Sequence, residues 1–350
     1  MKYTWLYLMM WCAAVMPMGC LSVSEQPQFT AIAGNDLEPI KLLHRTLQEH
    51  NTVQLYFSGT AALTLAEAVL VRTNQEAACT VEPLAVSDAV LDALNEADDN
   101  ISAFSITPSV PIEIGEKFIV RGSVTDGEHR VLDFALPFEG KNHRPACLQI
   151  SEIRPLYSSK PKSEFIECMV TEAGNLAGIT ILNVGDKNQP HYTFPAAEVK
   201  KGEVVVYHWR SVEADIRDEL TPSTVSKGTQ ASAGARDFWG PFTSLPKRNA
   251  NVILIKTHAK GPIQDAILYC TKKEFDKRSP SLSWGSEQLA QDAAAAVASG
   301  AWNGSTELKD SVITALAASK SLVRKSKTKA NNAGNWLLRP AKAVTMGKAY

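Results

Sequence analysis

Hydrophobic and polar residues alternate along most of this chain, in short runs that are bounded by turn residues. A period of two places successive side chains on opposite faces of a β-strand, as in a sheet with one buried face. The runs are TVQLYF, AEAVLVRT, ISAFSITP, KFIVRGSVT and HRVLDFALPF in the first half, and CLQISEI, SEFIECMV, GITILNV, EVVVYHW, NVILIKT and DAILYC in the second. The pattern predicts a mainly β chain of antiparallel sandwiches.

Helical spacing interrupts this alternation in a few places. The stretches concerned are 35–51, 87–99, 286–300 and 305–319. In the first of them, Ile40, Leu43 and Leu47 fall on one face of a helix. In the third, Ser286 suits an N-cap and Gly300 suits a helix end. We therefore expect a few short helices inserted into the β domains.

Pro, Gly, Asn and charged residues cluster at 137–146, between two strand-rich regions. This cluster predicts a boundary between an N-terminal domain at 35–140 and a second domain at 146–350. The short polar segment 20–34 predicts a tether that precedes the first domain. In the second domain, the long polar stretch 211–237 predicts a mobile loop between strands.

The first 19 residues have the layout of a lipoprotein signal peptide. Lys2 precedes an apolar run that ends near Val15, which is shorter than the roughly 20 residues of a membrane-spanning helix. The ending MPMGC resembles a lipobox, so Cys20 is predicted to become a lipidated N-terminus. Pro17 stands where lipoboxes usually have Leu, as in the loose lipoboxes of spirochaetal lipoproteins. The alternative is a soluble secreted protein without an anchor.

The charges of the 350-residue chain nearly cancel. Thirty-six basic and 37 acidic residues leave a formal charge of −1, which does not favour nucleic acid as a partner. No acidic residue follows Asp310, and the basic turn that comes after it contains Arg324, Lys325, Lys327 and Lys329. This turn is a candidate anion-binding patch, and a solvated turn between strands is the alternative.

Four cysteines lie in the part of the chain that is expected to be exported: Cys79, Cys147, Cys168 and Cys270. An oxidising compartment permits disulfides. Cys168 and Cys270 end two apolar runs in the same domain, so they are the preferred pair. The competing interpretation treats all four as small buried hydrophobic residues.

The sequence contains no strong catalytic motif. Strand periodicity places Glu164 and Glu167, an odd number of residues apart, on opposite faces, which argues against a working pair unless a bulge lies between them. A pairing of Glu152 with either acid across neighbouring strands is the alternative, although cross-strand acids are usually solvated or matched with Lys. The histidines have no zinc-ligand spacing, and no serine or cysteine stands in a nucleophile motif. We therefore expect no catalytic residue, no metal site and no cofactor.

The second region resembles a lamin-tail domain. The pieces that carry the resemblance are LQISEI with Glu152, SEFIEC, NLAGITI, YTFPAAEVKKGEVVVY, NVILIK with IQDAILY and its Asp265, SLVRK, GNWLL and TMGKAY. The resemblance implies an immunoglobulin-like sandwich without catalytic residues that serves in binding or scaffolding. With the first region, it predicts two immunoglobulin-like β-sandwich domains with a few short inserted helices.

These observations predict a non-enzymatic, lipid-anchored protein of a bacterial cell envelope, facing the periplasm or the cell surface. Its expected partners are the membrane, through Cys20, and a protein or envelope polymer bound by its sandwich surfaces. Two alternatives are an envelope hydrolase with a lid in the loop after Trp209, and a surface adhesin that binds host or polysaccharide ligands.

Overall fold

The structure is a computed structural model that divides into two compact units, Met1–Lys141 and Asn142–Tyr350. The division falls inside the predicted boundary segment 137–146. The structure describes residues 26–32, 40–48, 51–59, 62–72, 75–86, 90, 101–126, 130–156, 164–184, 191–211, 213–242, 249–340 and 345–347. The predicted signal peptide and Cys20 lie outside these residues, and so does the predicted helix at 87–99 apart from Val90.

The described residues of the first unit form one antiparallel sheet of eight strands, in the order β1-β8-β7-β4-β5-β6-β3-β2. A strand at residues 28–32 lies in the predicted tether and pairs with the last strand of the unit. The strands are β1 (Gln28–Ile32), β2 (Lys41–Leu47), β3 (Val53–Ser58), β4 (Thr64–Arg72), β5 (Gln75–Leu84), β6 (Ile101–Pro108), β7 (Lys117–Thr125) and β8 (Val131–Glu139). The mainly β prediction is confirmed, although one sheet stands in place of two facing sheets.

This sheet curls so that strands distant in its order share one core. Phe57 on β3 and Phe134 on β8 lie 5.8 Å apart between ring centroids, although four strands separate them in the sheet. Arg45 on β2 donates to the carbonyl of Pro137 on β8 at 3.3 Å. A curled sheet can bury one face against itself, which provides a core without a second sheet.

The helix predicted over 35–51 is wrong, because residues 41–47 form β2, which pairs antiparallel with β3. A β-bulge between Leu42 and His44 interrupts the alternation of β2. Ile40, Leu42 and Leu47 contact the core. Because of the bulge, Leu42 and Leu47 contact the same core although they are an odd number of residues apart, so the strict alternation of a strand is lost.

The second unit packs two larger sheets over one core. A six-stranded sheet has the order β16-β15-β10-β9-β20-β21, and a five-stranded sheet has the order β13-β12-β17-β18-β19. Strands β11 and β14 form a small pair. The strands are β9 (Cys147–Arg154), β10 (Phe165–Glu172), β11 (Gly174–Asn175), β12 (Thr180–Leu182), β13 (His191–Thr193), β14 (Glu198–Val199), β15 (Val204–Arg210), β16 (Arg236–Phe242), β17 (Ala250–Lys256), β18 (Ile263–Thr271), β19 (Val312–Thr314), β20 (Ser321–Arg324) and β21 (Trp336–Arg339).

Two helices follow β18: α1 (Lys272–Arg278) and α2 (Glu287–Ala298). The prediction of α2 is confirmed, since Ser286 caps it and Gly300 takes a left-handed φ of +76° just beyond its end. Small buried side chains, Ala293 and Ala296, let α2 pack closely on the five-stranded sheet. Strands β17 and β18 are thus buried on both faces, which explains their continuous apolar sequence.

The helix predicted over 305–319 is wrong. Leu308–Asp310 is a single 3₁₀ turn, and Val312–Thr314 forms β19 in parallel with β18. All three residues of β19 are β-branched, a side-chain type that favours strands over helices. Pairing of these residues with β18 at the edge of the sheet therefore outweighs the helix propensity of the neighbouring alanines.

A buried acid–base pair joins the two large sheets. Asp265 on β18 accepts hydrogen bonds from the backbone N–H of Ile150 on β9, at 2.7 Å, and from the guanidinium of Arg324 on β20. Asn331 donates to the second oxygen of this carboxylate at 3.1 Å. Arg324 also lies over the Trp336 ring, 5.0 Å from its centroid. The side-chain hydrogen bonds of Asp265 with Ile150, Arg324 and Asn331 thus tie β18 to residues outside its own sheet.

We predict that Asp265→Asn destabilises the second unit by about 3–5 kcal/mol, because it leaves the guanidinium of Arg324 buried without its counter-charge. Urea unfolding followed by tryptophan fluorescence measures this, since the five tryptophans beyond residue 200 all lie in the second unit. The matched control is Asp276→Asn, whose ion pair with Lys272 is exposed and should contribute less than about 1 kcal/mol. Equal effects of the two substitutions would contradict a structural role for the buried pair.

Candidate functional site

Two glutamates face each other across neighbouring strands on the outer side of the six-stranded sheet. Glu152 on β9 is the direct partner of Glu167 on β10. Side chains so placed have Cβ atoms about 4.5–5.5 Å apart. Ile166 and Cys168 point to the core on the opposite side. A bulge next to Glu167 adds Ser151 to β9 at this point, and so brings Glu152 opposite Glu167.

Glu164 is not part of this pair. It precedes β10, and its carboxylate accepts a hydrogen bond from Arg210 Nε at 2.6 Å. The sequence correctly predicted that Glu164 and Glu167 do not form a pair. It left a pairing of Glu152 with either acid as an alternative, because one sequence does not reveal a cross-strand register, and the structure places Glu152 opposite Glu167.

A short C-terminal strap, residues 345–347, closes over the two glutamates. Glu152 Oε2 accepts from the backbone N–H of Thr345 at 3.1 Å and from its hydroxyl at 2.7 Å. Glu167 Oε2 accepts from the backbone N–H of Gly347 at 2.7 Å. Met346 packs against Phe165 and its apolar neighbours. The strap and the sheet leave Glu152 0% and Glu167 1% exposed.

Burial raises the pKa of Glu167 to about 7, and the charge of Glu152 adds to this effect. Hydrogen bonds from Ser151 and Gly347, and the positive charge of Arg339, act in the opposite direction. The Ser151 hydroxyl lies 2.5 Å from Glu167 Oε1 and 3.1 Å from the Glu167 carbonyl. When Glu167 is protonated, its O–H can donate to Ser151 Oγ, and the Ser151 hydroxyl can donate to the Glu167 carbonyl. The neutral acid thus lets both hydroxyl groups donate a hydrogen bond.

A histidine–aspartate pair lies on the same outer face, with His208 on β15 beside β10 and Asp237 on β16, the next strand. His208 Nε2 is 2.6 Å from Asp237 Oδ1, and the imidazole stacks on Trp239 with centroids 3.9 Å apart. Both members of the pair are 0% exposed. Within the described part of the chain, His208 Nδ1 has no hydrogen-bond partner, so no nucleophile completes a triad here.

The segment after Trp209, predicted as a mobile loop, is held by many contacts in the structure. Its two arms meet where Glu219 Oε1 accepts from Ser226 N at 2.6 Å, and again where Glu213 Oε2 accepts from Thr229 N at 2.7 Å. Glu219 Oε2 accepts from Asp237 N at 3.1 Å, which ties the segment to β16. We name residues 213–229 the finger and residues 220–225 its tip.

The predicted anion-binding patch is only partly on the surface. Arg324 is 2% exposed and pairs with Asp265 inside the core, so its inclusion in the patch is wrong. Lys325 and Lys329 are exposed, and Lys325 donates to the carbonyl of Gly334 at 2.7 Å. Lys327 is partly buried. The turn therefore presents fewer charges than its sequence indicates.

The predicted disulfide between Cys168 and Cys270 does not form in the structure, where all four described cysteines are free. Cys168 lies on β10 and Cys270 on β18, in opposite sheets. Both side chains are buried in the apolar core, which agrees with the competing interpretation. Burial raises the pKa of Cys168 well above its usual range and that of Cys270 to about 11.

We predict that Cys168 and Cys270 resist alkylation by iodoacetamide in the native protein at pH 8, because the reactive thiolate form is suppressed. The partly exposed Cys79 and Cys147 serve as internal controls and should react first. Peptide mass spectrometry identifies the labelled sites. After denaturation without a reductant, Cys168 and Cys270 should become labelled, and continued protection of both would establish the disulfide.

The first unit carries a groove that the sequence did not indicate. It has a volume of about 450 Å³ and crosses β1, β8, β7 and β4. Its lining includes Phe29, Glu67, Arg121 and Asp133. The guanidinium of Arg121 is bound to Glu76 at 2.8 Å. The sequence predicts a tether where β1 forms, so it could not predict a groove that has β1 as one wall.

Neither a metal centre nor a membrane-spanning helix emerges from the described residues. No cluster of three or more His, Cys, Asp or Glu side chains among them is arranged to hold a metal ion. None of the helices within the described ranges is long and apolar enough to cross a bilayer.

Comparisons with known proteins identify relatives of this chain. A family model described as "protein second domain" matches residues 146–338. The chain belongs to this family. An uncharacterized protein from Treponema pallidum (strain Nichols) is 38% identical over 298 residues, which cover 81% of this chain and 75% of the relative. No solved structure matches.

We predict that the second unit loses about 3 kcal/mol of stability as the pH rises from about 4.5 to above 7, because of Glu167. Below this window, the carboxyl is protonated in the folded and unfolded chains alike. Within it, the folded chain keeps a proton that the unfolded chain has released, so a rise in pH favours unfolding. Glu167→Gln should remove this contribution and stabilise the unit at pH 8.

Urea unfolding at pH 5, 6, 7 and 8, followed by tryptophan fluorescence, measures the difference between wild type and variant. Glu307→Gln is the matched control, because this glutamate is 60% exposed in its side chain and should not alter the pH dependence. A Glu167→Gln profile parallel to that of the wild type would show that Glu167 is ionised in the folded protein.

Proposed function

We propose that this protein is a non-enzymatic, lipid-anchored envelope protein that acts as a binding or scaffolding module. In this proposal, the second unit is a lamin-tail-like, immunoglobulin-like sandwich, and Cys20 carries the anchor. The partner is a protein or an envelope polymer. The protein is exported and faces the periplasm or the cell surface.

The observation that carries the proposal is the closure of the acidic pair by the chain itself. The strap donates two backbone N–H groups and one hydroxyl to Glu152 and Glu167, and both side chains are buried. A substrate must reach a catalytic acid directly or through one water. Two buried acids that each give one oxygen to the strap are held as structural groups away from any substrate, which favours a binding role.

The fold of the second unit supports the lamin-tail likeness. Two sheets cover a common core, and Asp265, which belongs to the motifs that resemble the family, joins them. The other acids from those motifs, Glu152 and Glu167, pair across β9 and β10. Fold likeness alone names no partner. The proposed anchor rests on the lipobox-like ending MPMGC before and at Cys20.

We predict that Cys20→Ala abolishes the incorporation of an alkyne-labelled fatty acid into the protein expressed in a spirochaetal or other didermic bacterial host. The expected result is a labelled band for wild type and none for the variant, because Cys20 is the only predicted acyl acceptor. Cys12→Ala is the control and should stay labelled, since Cys12 lies within the apolar run of the leader. Label that persists in the Cys20→Ala variant would rule out this anchor.

A hydrolase is the second candidate, and one observation favours it. Two converging carboxyl groups, one with a pKa raised to about 7, are the arrangement that supplies a general acid beside a base. The Glu167→Gln variant separates the two candidates. If Glu167 is a structural acid, the variant should be more stable than the wild type and bind its partner unchanged. If Glu167 is a catalytic acid, the variant should be inactive on envelope glycan or peptide substrates.

A further inference from the structure

Two rows of side chains line the groove of the first unit, and each row runs across the strands. In the first row, Asp133 on β8 is the direct partner of Ser123 on β7 and of Thr30 on β1. Glu67 continues this row on β4, where a β-bulge places it opposite Ser123. The first row therefore presents an acid, a hydroxyl, an acid and a hydroxyl on four neighbouring strands.

The second row lies beside the first and gives the groove its shape. Ala135 on β8 is the direct partner of Arg121 on β7 and of Gln28 on β1, and Arg121 is the partner of Val69 on β4. The side chain of Ala135 is a single methyl group, so it leaves a depression between the longer side chains on either side. The guanidinium of Arg121 is bound to Glu76 on β5, which lies outside the groove.

The polar groups of the first row are not used by the fold. Within the described part of the chain, no hydrogen bond or ion pair engages the side chains of Glu67, Ser123, Asp133 or Thr30. The groove has a volume of about 450 Å³, which lies within the range of ligand sites. A ligand can therefore bind these four groups without breaking a contact inside the protein.

We propose that this groove binds a neutral saccharide chain that lies across the four strands. A sugar hydroxyl both donates and accepts hydrogen bonds, so it can donate to Glu67 and Asp133 and accept from Ser123 and Thr30. Neighbouring strands are about 4.8 Å apart, a spacing comparable with the length of one sugar unit. Successive sugars can thus meet successive members of the row. The inference names the envelope polymer of the proposed function, and in this respect it rests on the proposed binding role.

The lining disfavours other classes of polymer. Nucleic acids, anionic lipids and acidic glycans would meet two carboxylates, while the single arginine is already paired with Glu76. An apolar ligand would leave the polar row without partners. A basic peptide would gain little, because exposed ion pairs contribute little. Strands β7 and β8 are paired on both sides, so they offer no edge to an added strand.

Saturation-transfer difference NMR on the full chain with Cys20→Ala tests the groove. The probes are chitohexaose, cellohexaose and maltohexaose, three neutral hexasaccharides. We expect at least one of them to bind with a Kd of about 1 mM or lower. Asp133→Ala with Ser123→Ala should weaken this binding by at least about tenfold, because it removes the two central groups of the first row.

The matched control is Glu82→Ala with Thr80→Ala. These substitutions remove an acid and a hydroxyl from exposed positions on β5, outside the groove, and should leave saccharide binding unchanged. Far-UV circular dichroism checks that both double variants keep the sheet.

Amide variants distinguish a saccharide from a cationic ligand. Asp133→Asn with Glu67→Gln removes both charges and keeps an acceptor oxygen at each position, so saccharide binding should fall only a few-fold. A rise in NaCl from about 50 to about 500 mM should leave saccharide binding unchanged, since a neutral ligand is not screened. Hexalysine is the competing probe. Hexalysine binding that the amide variant and high salt abolish, without binding of any hexasaccharide, would assign the groove to a basic peptide instead.

Failure of all three hexasaccharides to bind, or binding that ignores the alanine substitutions, would overturn the proposal. Co-sedimentation of the same protein with isolated bacterial envelopes separates this failure from that of the proposed function. If envelope binding persists without saccharide binding, the groove assignment fails and the binding role stands. If the protein binds neither saccharides nor envelopes, both fail.

Discussion

The carboxylate of Asp265 sets how the two sheets of the second unit meet. Apolar side chains pack without strict direction, so the many aliphatic residues of this core do not by themselves select one alignment of the sheets. A buried carboxylate is different, because it requires donors at fixed positions. Ile150 N, the Arg324 guanidinium and Asn331 supply them from β9, β20 and the segment before β21. Any other alignment of the sheets would leave a charge unpaired in the core.

This inner pair also positions the outer acids. Ile150 is held by Asp265 on the inner side, the bulge at Ser151 follows, and Glu152 then faces outward, opposite Glu167. The six-stranded sheet thus buries ionisable groups on both faces, one set in the core and the other under the strap. Two buried carboxyl groups side by side repel each other when both are ionised, and a proton held by Glu167 relieves that repulsion.

Sequence alone could predict the elements that follow simple rules. The mainly β class and α2 were predictable, since strand alternation and helix caps are local signals. Residues 35–51 were misassigned, because a bulge in β2 changed the spacing of its apolar residues. Arg324 looked like a member of a basic turn, because its partner Asp265 stands 59 residues away in the sequence. The register that brings Glu152 to Glu167 is likewise a long-range property, which no local pattern contains.

A raised pKa is often a sign of catalysis, but the cause of the shift decides its meaning. In Glu167 the largest cause is burial, and the strap that buries it also binds its Oε2, while Ser151 binds its Oε1. The finger shows the opposite arrangement, since Glu219 is buried and fully engaged while Leu220 and Val225 remain exposed. At the tip of the finger, two apolar side chains meet the solvent, whereas the acids that hold the finger and the strap in place are buried.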